Sequence, residues 1–129
     1  MKKVVIIIIF MIVAVSLAGF LVLINKPEPT TELYFTDYPP KKIEIGEPYK
    51  INFAVCNLEH QDILYNYEVL IKIGDEEKKL AKNNFILKNK EFKNISEDFI
   101  LNEKYEAKKM IIVNLRYNGK FQQIYFSFE

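Results

Sequence analysis

From Val4 to Ile24 the chain runs through twenty-one residues without a charge. A helix over this run spans roughly 30 Å at about 1.5 Å per residue, the thickness of a bilayer's hydrocarbon core, so the segment is a membrane span or a targeting segment. A secretory signal peptide would use the small residues of Ser16-Leu17-Ala18 as its cleavage site, and such a peptide turns polar soon after the cut. Here Gly19 is followed by Phe20-Leu21-Val22-Leu23-Ile24. The expectation is therefore an uncleaved anchor, a single-pass transmembrane helix within residues 1–25. No cysteine lies in or just after the run, so a lipidated anchor has no thiol to modify. The amino terminus, Lys2 and Lys3 precede the run, and Lys26 alone follows it closely. That bias predicts a cell-membrane protein with a cytoplasmic N-terminus and everything from Asn25 onward outside.

Two prolines in Asn25-Lys26-Pro27-Glu28-Pro29-Thr30-Thr31 forbid a continuing helix and favour an extended spacer over residues 26–31. Residues 32–129 remain, enough for one ectodomain with a single core. Two of the 18 basic residues precede the membrane run, which leaves 16 against 17 acidic residues outside it. Nucleic acid and other polyanions need a concentrated positive field, so this balance argues against them as partners. Cys56 is the only cysteine and has no partner for a disulfide within the chain; on a strand it is expected to be a small buried thiol.

Beyond Glu32 the hydrophobic period is two. Leu33 and Phe35 open the pattern, Tyr38-Pro39-Pro40 breaks it, and Ile43 and Ile45 lead to the turn Gly46-Glu47-Pro48. Tyr49, Ile51, Phe53 and Val55 then share one strand face; after the polar loop Glu59-His60-Gln61-Asp62, so do Tyr65, Tyr67, Val69, Ile71 and Ile73. Leu64 and Leu70 fall on the opposite face and suggest that part of it is covered too. Gly74-Asp75 turns the chain. From Glu76 to Lys104 the pattern weakens to short strands, with a helix also compatible near Asp75 to Lys82. Alternation returns from Tyr105 to Tyr117, Asn118-Gly119 supplies a type I′ hairpin turn, and Ile124, Phe126 and Phe128 share a face of the last strand. Seven or eight strands so spaced predict an all-β fold, an immunoglobulin-like antiparallel β-sandwich.

The segment Asp37-Tyr38-Pro39, Gly46-Glu47-Pro48, Val55-Cys56-Asn57-Leu58-Glu59 and Tyr65-Asn66-Tyr67-Glu68-Val69 resembles an archaeal family of uncharacterised membrane proteins with an adhesion-like sandwich ectodomain. The matching features are the tyrosine-proline pair, the glycine-glutamate turn, the Asn57-x-Glu59 step and Tyr67-x-Val69. The resemblance implies a surface module and transfers no functional residue.

Residues for chemistry are scarce. His60 is the only histidine, so a multi-histidine metal site cannot be built, and a hydrolytic triad would need it together with Ser96 or Ser127. Asp75-Glu76-Glu77 lacks the spaced oxygen ligands and central glycine of a calcium loop and reads as a charged turn. The expectation is a protein without enzymatic activity, cofactor or metal, and with His60 on a solvated loop. Sixteen of the eighteen aromatics lie beyond the membrane run; most are expected in the core, and Tyr65, Tyr117 and Tyr125 are the candidates for an exposed interface. Asn94-Ile95-Ser96 is a candidate glycosylation triplet at Asn94. The leading reading is a membrane-tethered structural or protein-interaction module whose partner is another cell-surface protein or a surface layer. One alternative is an accessory subunit of an archaeal surface appendage or surface layer. Another is a tethered glycan- or solute-binding module.

Overall fold

The structure, a computed structural model, describes residues 1–24 and 27–129. Helix α1 (Lys2–Ile24) is apolar on every side, and none of its 20-residue candidate span, Lys2–Leu21, is buried against the rest of the chain. A helix satisfies its own backbone hydrogen bonds, so one with no polar face is suited to lipid. A signal sequence meets the same description.

Seven antiparallel strands follow: β1 (Thr30–Phe35), β2 (Pro48–Leu58), β3 (Ile63–Ile73), β4 (Glu76–Leu87), β5 (Phe92–Ile100), β6 (Lys109–Tyr117) and β7 (Lys120–Phe128). They form a three-stranded sheet of order β1-β2-β5 and a four-stranded sheet of order β4-β3-β6-β7. The fold is the immunoglobulin-like antiparallel sandwich expected from the alternation. In antibody constant domains the fourth strand lies with the first, second and fifth. Here Gly74, at φ +60, and Asp75 make a two-residue turn that hands the chain straight back, pairing Ile73 with Glu76 and holding β4 beside β3.

The stretch where a helix was also compatible is therefore strand. Its alternation is weak because the ladder slips between Val69↔Ala81 and Leu70↔Lys79, leaving Leu80 as an extra residue packed against the core. Alternation expected from Tyr105 does not become strand until Lys109, since residues 101–108 cross from one sheet to the other. Thr30 and Thr31, assigned to the spacer on the sequence, belong to β1, paired with Leu58 and Asn57.

The core is filled by the inward rows: Ile51, Phe53 and Val55 of β2, Tyr65, Tyr67 and Val69 of β3, and Ile111, Val113 and Leu115 of β6. Phe53 and Tyr67 meet edge-on at 5.4 Å across the sheets, an arrangement that adds about 0.5–1.5 kcal/mol to area burial. Because Phe53 and Val55 point inward, Cys56 points outward, half-buried between Glu32 and Phe92 on the other face of the three-stranded sheet. This corrects the expected core thiol. On the second face of the four-stranded sheet Leu64 is half exposed, and the cover that Leu64 and Leu70 suggested is confined to the row of Leu70. Leu70, Ile112 and Tyr125 form one cross-strand row there, in which Ile112 is buried.

All strand ends sort onto two poles. The first, called proximal because the chain enters there from α1, gathers Pro27–Thr30, residues 58–63, residues 87–92 and the Asn118-Gly119 turn, with both turn residues at positive φ. The distal pole gathers residues 36–47, 74–75, 101–108 and the C-terminal Glu129.

Candidate functional site

Of the three tyrosines proposed for an interface, two are interior. Tyr65 and Tyr117 share their inward faces with Val69 and Leu115, are buried, and have ring centroids 5.1 Å apart with the planes tilted by 53°. That corrects their assignment to the surface. Tyr125 is 60% exposed on the outer face of β7. Asn94 is exposed on the edge strand β5, paired with Ala54 on the outer face, and the hydroxyl of Ser96 in the same triplet is hydrogen-bonded to Asn52.

The proximal pole is closed by a polar cluster. Thr31 Oγ1 donates to Glu59 Oε1 at 2.9 Å and lies 2.8 Å from the Tyr65 hydroxyl. Lys120 Nζ reaches Glu59 Oε2 at 3.2 Å, and Gln122 Nε2 donates to the Thr31 carbonyl and the Tyr117 hydroxyl, both at 2.7 Å. Asn57 orients the carboxylate: its Oδ1 accepts the Glu59 N–H at 2.9 Å, an Asx-type turn, while its Nδ2 donates to the Leu87 and Gln61 carbonyls at 2.8 Å. Among the described residues no buried side-chain polar atom lacks a partner. Burial of Glu59 escaped the sequence reading, which took its loop as solvated. The available signal was the Asn57-x-Glu59 step, an Asx turn followed by an acid.

His60 is the exposed member of that loop. It adopts φ +66, its N–H donates to Asn89 Oδ1 at 3.1 Å, and its Nε2 lies 3.0 Å from the Pro27 carbonyl. Ser127 sits at the opposite pole, paired with Met110, so the fold does not bring these two together. Asp75 of the β3–β4 turn and Glu76 and Glu77 at the start of β4 are exposed. Among the described residues no group of three or more metal-ligating side chains is assembled.

The distal pole carries a cleft of about 930 Å³ between the β1–β2 connector, the β5–β6 crossover and the chain's C-terminus. Lys41, Lys42, Lys104, Lys108 and Lys109 line it with Glu106 and Glu129 over a floor that includes Tyr105 and Phe128. Backbone bonds hold its walls: Glu129 N to Lys41 O at 3.1 Å, Ile43 N to Glu129 O at 3.4 Å, and Gly46 N to Leu101 O at 2.8 Å. Lys109 Nζ lies 5.9 Å from the Phe128 ring centroid, within range of a cation–π contact. Glu44 and Glu103 line the adjoining wall, so the cleft is lysine-rich with a small excess of ammonium over carboxylate.

Three side chains have raised pKa values. Burial, then the Glu32 carboxylate opposite, pushes the Cys56 thiol up. Burial pushes Tyr65 up to about 12, and burial followed by the hydrogen bond its hydroxyl donates to Glu97 at 2.6 Å does the same for Tyr67. All three effects hold the neutral form.

No protein-family model matches the chain, and no curated protein sequence does. Solved structures share its architecture. A β-glucosidase from Listeria innocua superposes with a TM-score of 0.57 and 15% identity over 78% of this chain, which spans 16% of the enzyme. Alkylpurine DNA glycosylase AlkC from Pseudomonas fluorescens, bound to DNA containing an abasic site analogue, gives 0.52 and 14% over 80% of this chain and 31% of its own. The ASH/PapD-like domain of human CEP192 gives 0.52 and 12%, covering 81% of this chain and 88% of that domain. At such identities the likeness is one of fold alone, and it is to an Ig/PapD-like sandwich nearly end to end.

Proposed function

We propose that the protein is a membrane-anchored, extracytoplasmic interaction module that uses its distal pole to hold an acidic partner protein at the cell surface. The observation that carries this reading is topological. Strand β1 leaves the anchor side, and the lysine-lined cleft lies at the other ends of the strands. Eleven residues of β2 span about 36 Å at roughly 3.3 Å each, so the cleft stands well clear of the anchor. Loops gathered at one end of a rigid sandwich are the usual place for recognition. The family resemblance of the Asp37 to Val69 segment supports a surface module, with a surface-layer or appendage subunit among the partners it would suit.

The test has two parts, both on the full chain in native membranes. A C-terminal tag should be cleaved by protease added to intact cells, and the chain should remain in the membrane fraction; a soluble product beginning near Gly19, or a protected tag, sinks the anchored topology. A photo-crosslinker placed at Lys104 should yield a discrete protein adduct that Lys42→Glu with Lys108→Glu abolishes. Loss of the adduct to competing polysaccharide, with no protein captured, would favour the glycan-binding alternative instead.

A further inference from the structure

Exposed apolar side chains ring the proximal pole. Leu64 and Ile86 face each other across β3 and β4, Phe92 opens β5, and Phe121 is the second residue of β7; each is at least half exposed. All four lie within two residues of the strand ends nearest Pro27, on the outer faces of both sheets. Among them stand Lys88, Lys90, Lys93, Arg116 and Lys120, interspersed with Glu28, Glu32, Asp62, Glu91 and a Glu59 that Lys120 already pairs.

Chain geometry decides what covers this ring. His60 Nε2 lies 3.0 Å from the Pro27 carbonyl, which holds Pro27 against the pole, and only three peptide steps separate Pro27 from Ile24 at the end of α1. Three extended residues reach at most about 11 Å. The 23 residues of α1 make a helix of about 34 Å, slightly more than the roughly 30 Å hydrocarbon core. The helix end is therefore at the hydrocarbon boundary, and the headgroup layer beyond it is about 5–8 Å deep. A tether this short leaves no room for a protein between pole and bilayer.

We propose that the proximal pole seats in the lipid headgroup layer, with Leu64, Ile86, Phe92 and Phe121 among the headgroups and the flanking lysines and Arg116 on lipid phosphates. Apolar side chains bordered by cations are the composition of surfaces that lie in this interface. The inference rests on the anchored reading above. It adds that the domain stands upright, with the distal cleft facing away from lipid.

The chain contains no tryptophan, so a single substitution reports on one place. The full chain is reconstituted into vesicles of phosphatidylcholine with one-third phosphatidylglycerol, in which part of the phosphatidylcholine is brominated near the headgroup end of its acyl chains. Phe121→Trp and Ile86→Trp should be quenched several-fold more than Tyr38→Trp, which replaces a fully exposed side chain of the distal connector. Lys88→Glu with Lys90→Glu should remove at least half of that difference. Quenching equal to that of Tyr38→Trp in a chain that floats with the vesicles overturns the docking alone. Failure to float overturns the anchored reading and the docking with it.

Discussion

Glu59 is buried and His60 exposed, although both stand in one polar run of four residues. The difference comes mainly from partners far away in sequence: Thr31 and Lys120 converge on the Glu59 carboxylate, whose backbone N–H the neighbouring Asn57 holds, while His60 turns outward in a left-handed conformation toward Pro27. Glu59→Ala removes the acceptor that Thr31 and Lys120 share inside the pole, and should cost about 1–3 kcal/mol. His60→Ala removes one exposed hydrogen bond and should change stability by less than about 0.5 kcal/mol. Thermal denaturation of the two variants side by side checks this; a larger loss from the histidine change would mean that the loop is organised around His60. Cys56 and the tyrosines show the same dependence on place. Period two alone puts Tyr65 and Tyr117 on the faces of Val69 and Leu115, and burial follows once those faces meet the other sheet.

At the scale of elements, β1 is the strand whose limit the sequence obscures. Prolines at 27 and 29 mark a spacer, but nothing local says that Thr31 has a hydroxyl partner on another loop. A fragment starting at residue 27 keeps that strand whole, and one starting at residue 32 loses Thr30↔Leu58, Thr31↔Asn57 and the Thr31 bonds to Glu59, Tyr65 and Gln122. The shorter fragment should be less stable by about 1–3 kcal/mol, a fall in Tm of several degrees at roughly 4–8 °C per kcal/mol for a domain of this size. Equal melting of the two, followed by circular dichroism, would show that β1 begins to matter only beyond Glu32. Hairpins behave otherwise. Gly74-Asp75 and Asn118-Gly119 are legible because positive φ is a local demand, met by local residues.

The whole domain should register the raised pKa values of Tyr65 and Tyr67. Each is near 10 when unfolded and pushed up to about 12 in the fold, so the folded state binds more protons between those values. Stability from this source is complete below about pH 10 and is lost as pH rises toward 12. Thermal melts should hold steady to about pH 10 and then decline, with the decline shallower in the Tyr65→Phe, Tyr67→Phe double variant. An equally steep decline there would place the alkaline sensitivity elsewhere. By itself the sequence determined the apolar helix, the β class, most strand faces and the tight turns, since each depends on a period or a dihedral preference within a few residues. Tertiary structure decided the rest. Which sheet takes β4, which loops share a pole, that Glu59 is buried, and that five lysines line one cleft all depend on sheet order, which brings together residues dozens of positions apart.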